Sequence, residues 1–224
     1  MTEDTVQGYP ILLRLVAQHC VVVGGGGVAQ RKVADLVAAG ATVTVISPAL
    51  TPALAALAAA RAIQLIQTVY SPGMLASLRP RLVFAATNHP EINQQIAQEA
   101  RAVGALVDVV DSAGAGDFNS MTTLRHGPLT VAISTGGASP ALSAHLRERV
   151  AAAVGPEYGT LARWLAELRP QVREQIPESV RRRALWRTII DSPVLDLLRQ
   201  GDEATARRMI ENLVVDAVNK RQIE

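Results

Sequence analysis

Apolar and polar positions follow two different periods in the first half of this chain, and the two take turns. Residues 20–23, Cys-Val-Val-Val, form a short β-branched run that reads as a strand buried on both faces of a parallel sheet, ended by the glycines at 24–27. Val33, Leu36 and Val37 then recur at helical spacing up to Gly40, a natural left-handed cap, and residues 41–47 return to a strand pattern. The alternation continues with an alanine-rich helix over 52–61, a strand over 63–69 and a turn at Ser71-Pro72-Gly73. A short helix over 74–78, a buried strand over 82–87, a helix over 91–103 closed by Gly104 and a strand over 105–111 complete it. Strand and helix in this order predict an α/β fold, a Rossmann-like doubly wound parallel sheet. The segment 9–16, ahead of the first strand, is expected to pair or pack as an extra short strand at the sheet edge.

From Ser112 the texture changes. Residues 121–125 and 129–134 read as strands too close in sequence for a parallel crossover, which predicts a hairpin turning at His126-Gly127-Pro128. A helix follows from Ala141 to about Val154, with Ser139 suited to the N-cap and Pro140 to the first helical position. Residues 155–224 are helical by pattern, punctuated by Pro170, Pro177, Pro193 and Gly201. The expected division is therefore a Rossmann-like domain over 1–112, a small hairpin and helix region over 113–154 and a helical C-terminal domain over 155–224.

Composition narrows the function classes. Hydrophobic residues make up 49% of the 224, enough for a proper core, but aromatic residues are only 3%, so stacking on nucleic-acid bases is poorly supplied. A formal charge of +2, with a pI near 9.0, comes from a small excess of arginine and not from a concentrated basic block, which argues against a nucleic-acid partner. Cys20 is the only cysteine, so a disulfide framework and a cysteine metal site are both excluded within the chain, and a reducing compartment is expected. Residues 1–10 lack the plan of a signal peptide, and the longest apolar tract, 53–60, falls far below the roughly 20 residues that span a bilayer. The expectation is a cytoplasmic protein with no membrane partner.

The chemistry concentrates at turns. Gly24, Gly26 and Ala29 fit G-x-G-x-x-[GA], with one glycine for the tight turn, one for close approach of backbone to a pyrophosphate, and a small residue where helix packs on strand. Strand before and helix after are the context a dinucleotide site demands; the competing reading is a flexible four-glycine connector. With the pyrophosphate on the helix N-terminus, Gly27 and Val28 join the expected contacts. An acid about 20 residues on should bind the ribose, but the second strand ends at Ser47-Pro48, so Ser47, Pro48 or backbone must serve there, leaving NAD against NADP open. Ala86, Thr87 and Asn88 follow a strand's carboxyl end, where α/β sheets bind ligands, although Asn88 could equally cap the next helix. A second glycine turn, Ser134, Thr135, Gly136, Gly137 and Ser139, opens another helix as an anion or substrate contact, or as ordinary capping. Arg181, Arg182 and Arg183 could clamp an acidic ligand or line a solvated face. Asp111 ends the strand over 105–111 on the ligand-bearing side, as a catalytic carboxylate or a turn residue. Neither G-x-S-x-G, a P-loop, nor histidines at metal-ligand spacing occur, so no resident metal is expected.

Several motifs occur together and in order: Tyr9-Pro-Ile-Leu12, the run from Val22 through the four glycines to Arg31-Lys32, residues 40–45, 85–93, Val109-Val110-Asp111 with Asp117-Phe118, and residues 134–141. Jointly they resemble the precorrin-2 dehydrogenase and sirohydrochlorin ferrochelatase family, the N-terminal module of siroheme synthase, over about residues 9–150. The resemblance implies NAD-dependent oxidation of precorrin-2 to sirohydrochlorin, in some members followed by insertion of ferrous iron. It implies a homodimer whose middle segment and C-terminal helices build the interface and the substrate cleft, and a central role for Asp111 in both reactions. The loop over 134–139 and arginine side chains would meet the carboxylates of the tetrapyrrole. The chain departs from the family after Asp111, with Ser112-Ala113-Gly114-Ala115-Gly116 in place of an acidic or proline-containing loop. It departs again at Thr135, where the module carries a phosphorylated serine. Because the chain stops at Glu224, precorrin-2 is expected from a separate methyltransferase. Two other readings compete, an NAD-sensing regulatory module without catalysis and a chelatase alone, and a carboxylate at Asp111 facing the nicotinamide favours the dehydrogenase.

Overall fold

The computed structural model describes residues 8–110, 112 and 114–219; Asp111 lies outside them. Backbone contacts divide the chain into two units, Met1–Ser120 and Met121–Glu224. In the first unit β1 (His19–Val23), β2 (Thr42–Ile46), β3 (Gln64–Ile66), β4 (Leu82–Ala85) and β5 (Leu106–Val109) form one parallel sheet in the order β3-β2-β1-β4-β5. Helices α1 (Gly27–Ala38), α2 (Pro52–Ala59), α3 (Met74–Leu78) and α4 (Pro90–Ala102) make the crossovers.

Strand periodicity sorts the core into two layers. Cys20, Val22, Val43, Val45, Leu82 and Phe84 point to the side of α1 and α2, where Ala29, Val33, Leu36 and Leu54 meet them. Val21, Val23, Ile46, Val83, Ala85, Val107 and Val109 point the other way, to Leu75 of α3 and to Ile96, Ala97 and Ala100 of α4. Burial on both faces explains why the strands read as continuous apolar runs.

The edge strand expected over residues 9–16 is not formed. Ala17 takes φ 56° and donates its N–H to the Gly40 carbonyl at 2.9 Å, a turn that sends the preceding segment onto the α1 face. Leu15 is buried there, while Tyr9, Ile11, Leu12 and Val16 stay exposed. The outer edge of β5 is covered instead by the chain that follows it. Asp117 donates its N–H to the Val107 carbonyl at 2.8 Å, and its carboxylate accepts the Val107 N–H at 3.0 Å. Arg101 fastens this strap, with Nε 2.8 Å from Asp117 Oδ1 and a further bond to the Ala115 carbonyl. A Cβ on Gly116 would lie 2.9 Å from the Val107 carbonyl oxygen, so the strap runs flush with the strand.

A second anchor sits under α3. Glu99 on α4 accepts the Tyr70 hydroxyl and the N–H groups of Gly73, Leu75 and Ala76, tying the turn ahead of α3 to the core. Burial alone would raise this carboxyl, but the Tyr70 hydroxyl and the three amides outweigh it and hold Glu99 below its ordinary 4.5. A depressed folded value means that the contribution is complete above 4.5 and is lost as pH falls through the folded value. Glu99→Gln is expected to cost about 1–3 kcal/mol at neutral pH. Chemical denaturation at pH 7 and below pH 4 should show the difference between parent and variant shrinking with acid.

In the second unit β6 (Thr122–His126) and β7 (Leu129–Ile133) form the expected antiparallel hairpin, with His126 opposite Leu129. Gly127 at φ 55° and Pro128 make the two-residue turn; positive φ belongs to the first position and proline's fixed negative φ to the second, as in a type II′ turn. Helices α5 (Pro140–Ala153), α6 (Pro156–Gln175), α7 (Ser179–Ile190), α8 (Val194–Arg199) and α9 (Glu203–Asn219) follow. Ser139 caps α5, accepting the Leu142 N–H at 3.1 Å. Pro170 does not end a helix as its place in the pattern suggested; it lies inside α6. An internal proline costs about 3 kcal/mol. The burial of Leu161 and Trp164 before it and of Val172 after it, in the core shared with Leu185, Ile189, Ile210 and Val214, offsets that cost.

Candidate functional site

The chain leaves β3 at one side of β1 and enters β4 at the other, so the carboxyl ends of β1 and β4 flank a topological switch point, the place where open α/β sheets bind ligands. Gly24, Gly26, Gly27, Val28, Ala29, Ser47, Pro48, Ala86, Thr87 and Asn88 all lie at the carboxyl ends of β1, β2 and β4. Gly24 takes φ 127°, and a Cβ there would stand 2.2 Å from the Ala86 carbonyl oxygen, so the β1 and β4 exits touch through backbone. The tightest packing falls on Gly25, which the fingerprint leaves free: a Cβ would lie 1.9 Å from the Ala49 oxygen and 2.6 Å from Ser47 Oγ. The turn after β2 is laid onto the glycine loop, with the Thr51 N–H bonded to the Gly25 carbonyl at 3.0 Å.

Gly26 and Gly27 differ. Nothing lies within 4 Å of a Cβ built on either. Gly26 is the N-cap of α1, in extended conformation, and no side chain caps the helix or places an acid in its first turn. Ala29 is fully buried beneath that turn. An uncapped helix end with open space before it suits a phosphate, through both the free N–H groups and the helix dipole. These residues fit a dinucleotide. Ser47 donates its hydroxyl to the Ala49 carbonyl at 2.7 Å and is buried, so that proton is committed inside the turn.

At the β4 exit, α4 has His89 and not Asn88 as its N-cap, and the Asn88 side chain is exposed. The order in this turn comes from Asn93, a residue the motif contained but to which no role had been given. Its Oδ1 accepts the Thr87 N–H at 3.1 Å and the Thr87 hydroxyl at 2.7 Å, and its Nδ2 donates to the Thr87 carbonyl at 3.0 Å. The signal was available: Asn93, Ile96, Ala97 and Ala100 share the buried face of α4, and a polar residue on such a face requires partners.

Asp117, the nearest other carboxylate to Asp111 in the loop, bonds to Arg101 and to the edge of β5. Asp108, within β5, is buried and pairs with Lys32 of α1 at 3.0 Å, with Ser120 donating to the same oxygen at 2.8 Å. Lys32 also lies over the Phe84 ring, and Phe118 packs edge-on against that ring. This pair, half-buried at Lys32 and buried at Asp108, joins α1 to the last strand of the sheet. Burial pushes the Cys20 thiol up to about 11, so it is no nucleophile. Among the described residues no group of three His, Cys, Asp or Glu could hold a metal ion, and no helix is long and apolar enough to cross a membrane.

The loop with Ser134, Thr135, Gly136, Gly137 and Ser139 belongs to the second unit. Gly136 and Gly137 take φ 62° and 86°, a conformation reserved largely for glycine. Its hydroxyls bond within the loop: Thr135 Oγ1 accepts the Ser139 N–H, and Ser134 Oγ accepts the Gly136 N–H. Of the arginine triplet, Arg181 donates to the Ala217 carbonyl and Arg182 to the Ile176 and Pro177 carbonyls, so two of the three cap helix ends.

Comparison with known proteins agrees with this geometry. Residues 11–120 match the family described as "Putative NAD(P)-binding", residues 126–153 the "Sirohaem biosynthesis protein central" family and residues 157–214 the "Sirohaem synthase dimerisation region". The chain is 39% identical over 206 residues to the siroheme synthase of Chromobacterium violaceum, covering 92% of this chain and 43% of that protein. It is 36% identical over 220 residues to that of Gluconacetobacter diazotrophicus, covering 97% of this chain and 47% of that one. It thus spans less than half the length of these curated relatives. Among solved structures, SirC, a precorrin-2 dehydrogenase, superposes with a TM-score of 0.73 at 24% identity, covering 92% of this chain and all of that one, and shares the fold.

Proposed function

Since the chain belongs to the family that comprises precorrin-2 dehydrogenase and the N-terminal module of siroheme synthase, we propose that it oxidises precorrin-2 to sirohydrochlorin in the cytoplasm, with NAD as the oxidant. The observation that carries this reading is the switch-point crevice, where Gly24 presses on Ala86 while Gly26 and Gly27 leave the end of α1 open. When bound there, NAD supplies the acceptor for one hydride. The uncapped amides of α1 would hold its pyrophosphate, the turn over Ser47 and Pro48 would serve the ribose, and Ala86, Thr87 and Asn88 would serve the nicotinamide end. Asp111 stands two residues beyond β5 in the chain. A carboxylate there takes the proton that leaves the macrocycle as the hydride departs, so the two-electron oxidation releases one hydride and one proton.

Residues 134–139 and arginines of the second unit would receive the substrate's carboxylates. Under this reading residues 1–112 bind cofactor, and residues 113–154 and 155–224 supply substrate contacts and a homodimer interface. Incubating the purified protein with precorrin-2 and NAD should produce the absorption of sirohydrochlorin together with NADH in equal amounts. Absence of both products from a protein that binds NAD would favour the sensor reading. Light scattering should give about twice the 23.8 kDa chain mass; a monomer at micromolar concentration would remove the shared-interface part of the proposal.

A further inference from the structure

We propose that Asn93 is a positioning residue for the cofactor: it acts through Thr87 and sets the register of the β4 exit against the glycine loop. The inference rests on the dinucleotide reading of the crevice. Asn93 is 5% exposed, and each of its three polar bonds goes to one residue, Thr87, through the N–H, the hydroxyl and the carbonyl. A carboxamide that grips both backbone polar groups of a single residue fixes the orientation of that peptide, as a strand partner does in a sheet. Thr87 also accepts the His89 N–H at 3.2 Å, so the whole turn from β4 into α4 hangs on this pair.

What the clamp orients is the neighbouring peptide. Ala86 donates its N–H to the Val23 carbonyl at 2.9 Å, and its own carbonyl lies against Gly24. Displacing Thr87 therefore moves one wall of the crevice relative to the glycine loop. The fold itself does not depend on the clamp: α4 is held to the sheet by Ile96, Ala97 and Ala100, all at 2% exposure or less. Losing Asn93 should consequently be felt at the cofactor more than in the core, where an unsatisfied turn can rearrange toward solvent.

Asn93→Ala removes all three bonds and should raise the Kd for NAD, measured by calorimetry, by about 10- to 100-fold. KM for NAD should rise in step, whereas kcat at saturating NAD and KM for the tetrapyrrole should stay near parental values. Asn93→Asp is the nearly isosteric companion. It keeps the two acceptor contacts but sets a carboxylate against the Thr87 carbonyl, and should fall between the parent and Asn93→Ala. A variant that binds NAD as the parent does overturns the positioning role and leaves the crevice assignment standing. A loss of thermal stability with both Michaelis constants changed alike also overturns it, since that is the signature of a structural role only. Failure of the parent itself to bind NAD would instead strike at the reading of the crevice. If Asn93→Ala does not fold, the Asn93→Asp comparison decides by the same criteria.

Discussion

Asp111→Asn is expected to fold, dimerise and bind NAD as the parent does while losing about 10²- to 10⁴-fold in dehydrogenase turnover, the range typical of a general base. The amide is close in size to the carboxylate and keeps the capacity to form turns, but it cannot accept a proton as hydride leaves the substrate. Any insertion of ferrous iron by this protein, which must also strip protons from pyrrole nitrogens, should fall with it. Asp117, whose oxygens bond to Arg101 and to the Val107 amide, is the next candidate should Asp111→Asn keep its turnover. Stopped-flow observation of NADH formation at saturating precorrin-2 measures the step directly. Parental turnover in the variant would reduce Asp111 to a turn residue and would reopen the case for a nucleotide sensor.

The second large effect separates two adjacent glycines. Gly26→Val places its Cβ where no atom beyond the adjoining residues lies within 4 Å, in extended backbone that valine accepts readily. The protein should fold normally, yet the branched side chain would occupy the phosphate position before α1 and raise the Kd for NAD by about 100-fold or more. Gly25→Ala should behave in the opposite way. Its methyl would meet the Ala49 oxygen at 1.9 Å, a backbone atom that cannot swing aside. The resulting overpacking should cost about 1–3 kcal/mol and lower the melting temperature before any effect on chemistry is seen. Thermal denaturation beside calorimetric titration distinguishes the two, and equal loss of stability in both variants would contradict the geometry of the loop.

The contrast shows where reading the chain succeeds. Alternating strand and helix patterns placed β1, β2, α3, the hairpin and the end of α1 within a residue or two, because burial of both sheet faces leaves an unbroken apolar signal. Local pattern failed where tertiary contacts decide. The segment over 9–16 resembles a strand in composition, but a left-handed Ala17 bonded to Gly40 turns it onto a sheet face. Pro170 resembles a stop, but the core on both sides carries α6 past it. Gly25 carries no role in the motif, which counts distances along one loop, whereas its constraint comes from the turn at Ala49, more than 20 residues away in sequence. Asn93 was hidden among the polar residues of its own helix, although its heptad neighbours marked the position as buried.

The strap over β5 has a consequence for the life of the protein outside its chemistry. A terminal strand with open amides and carbonyls is a template on which a second molecule can extend the sheet, the first step toward fibrous aggregates. Here Asp117 fills the Val107 position from within the same chain, and Gly116 lies too close to admit a foreign backbone. Removing the charge that fastens it, as in Arg101→Ala, would expose a β-branched edge of the kind from which such assemblies nucleate. The loop that ends the sheet is therefore also what keeps it from growing at this edge, through Asp117, Gly116 and Arg101.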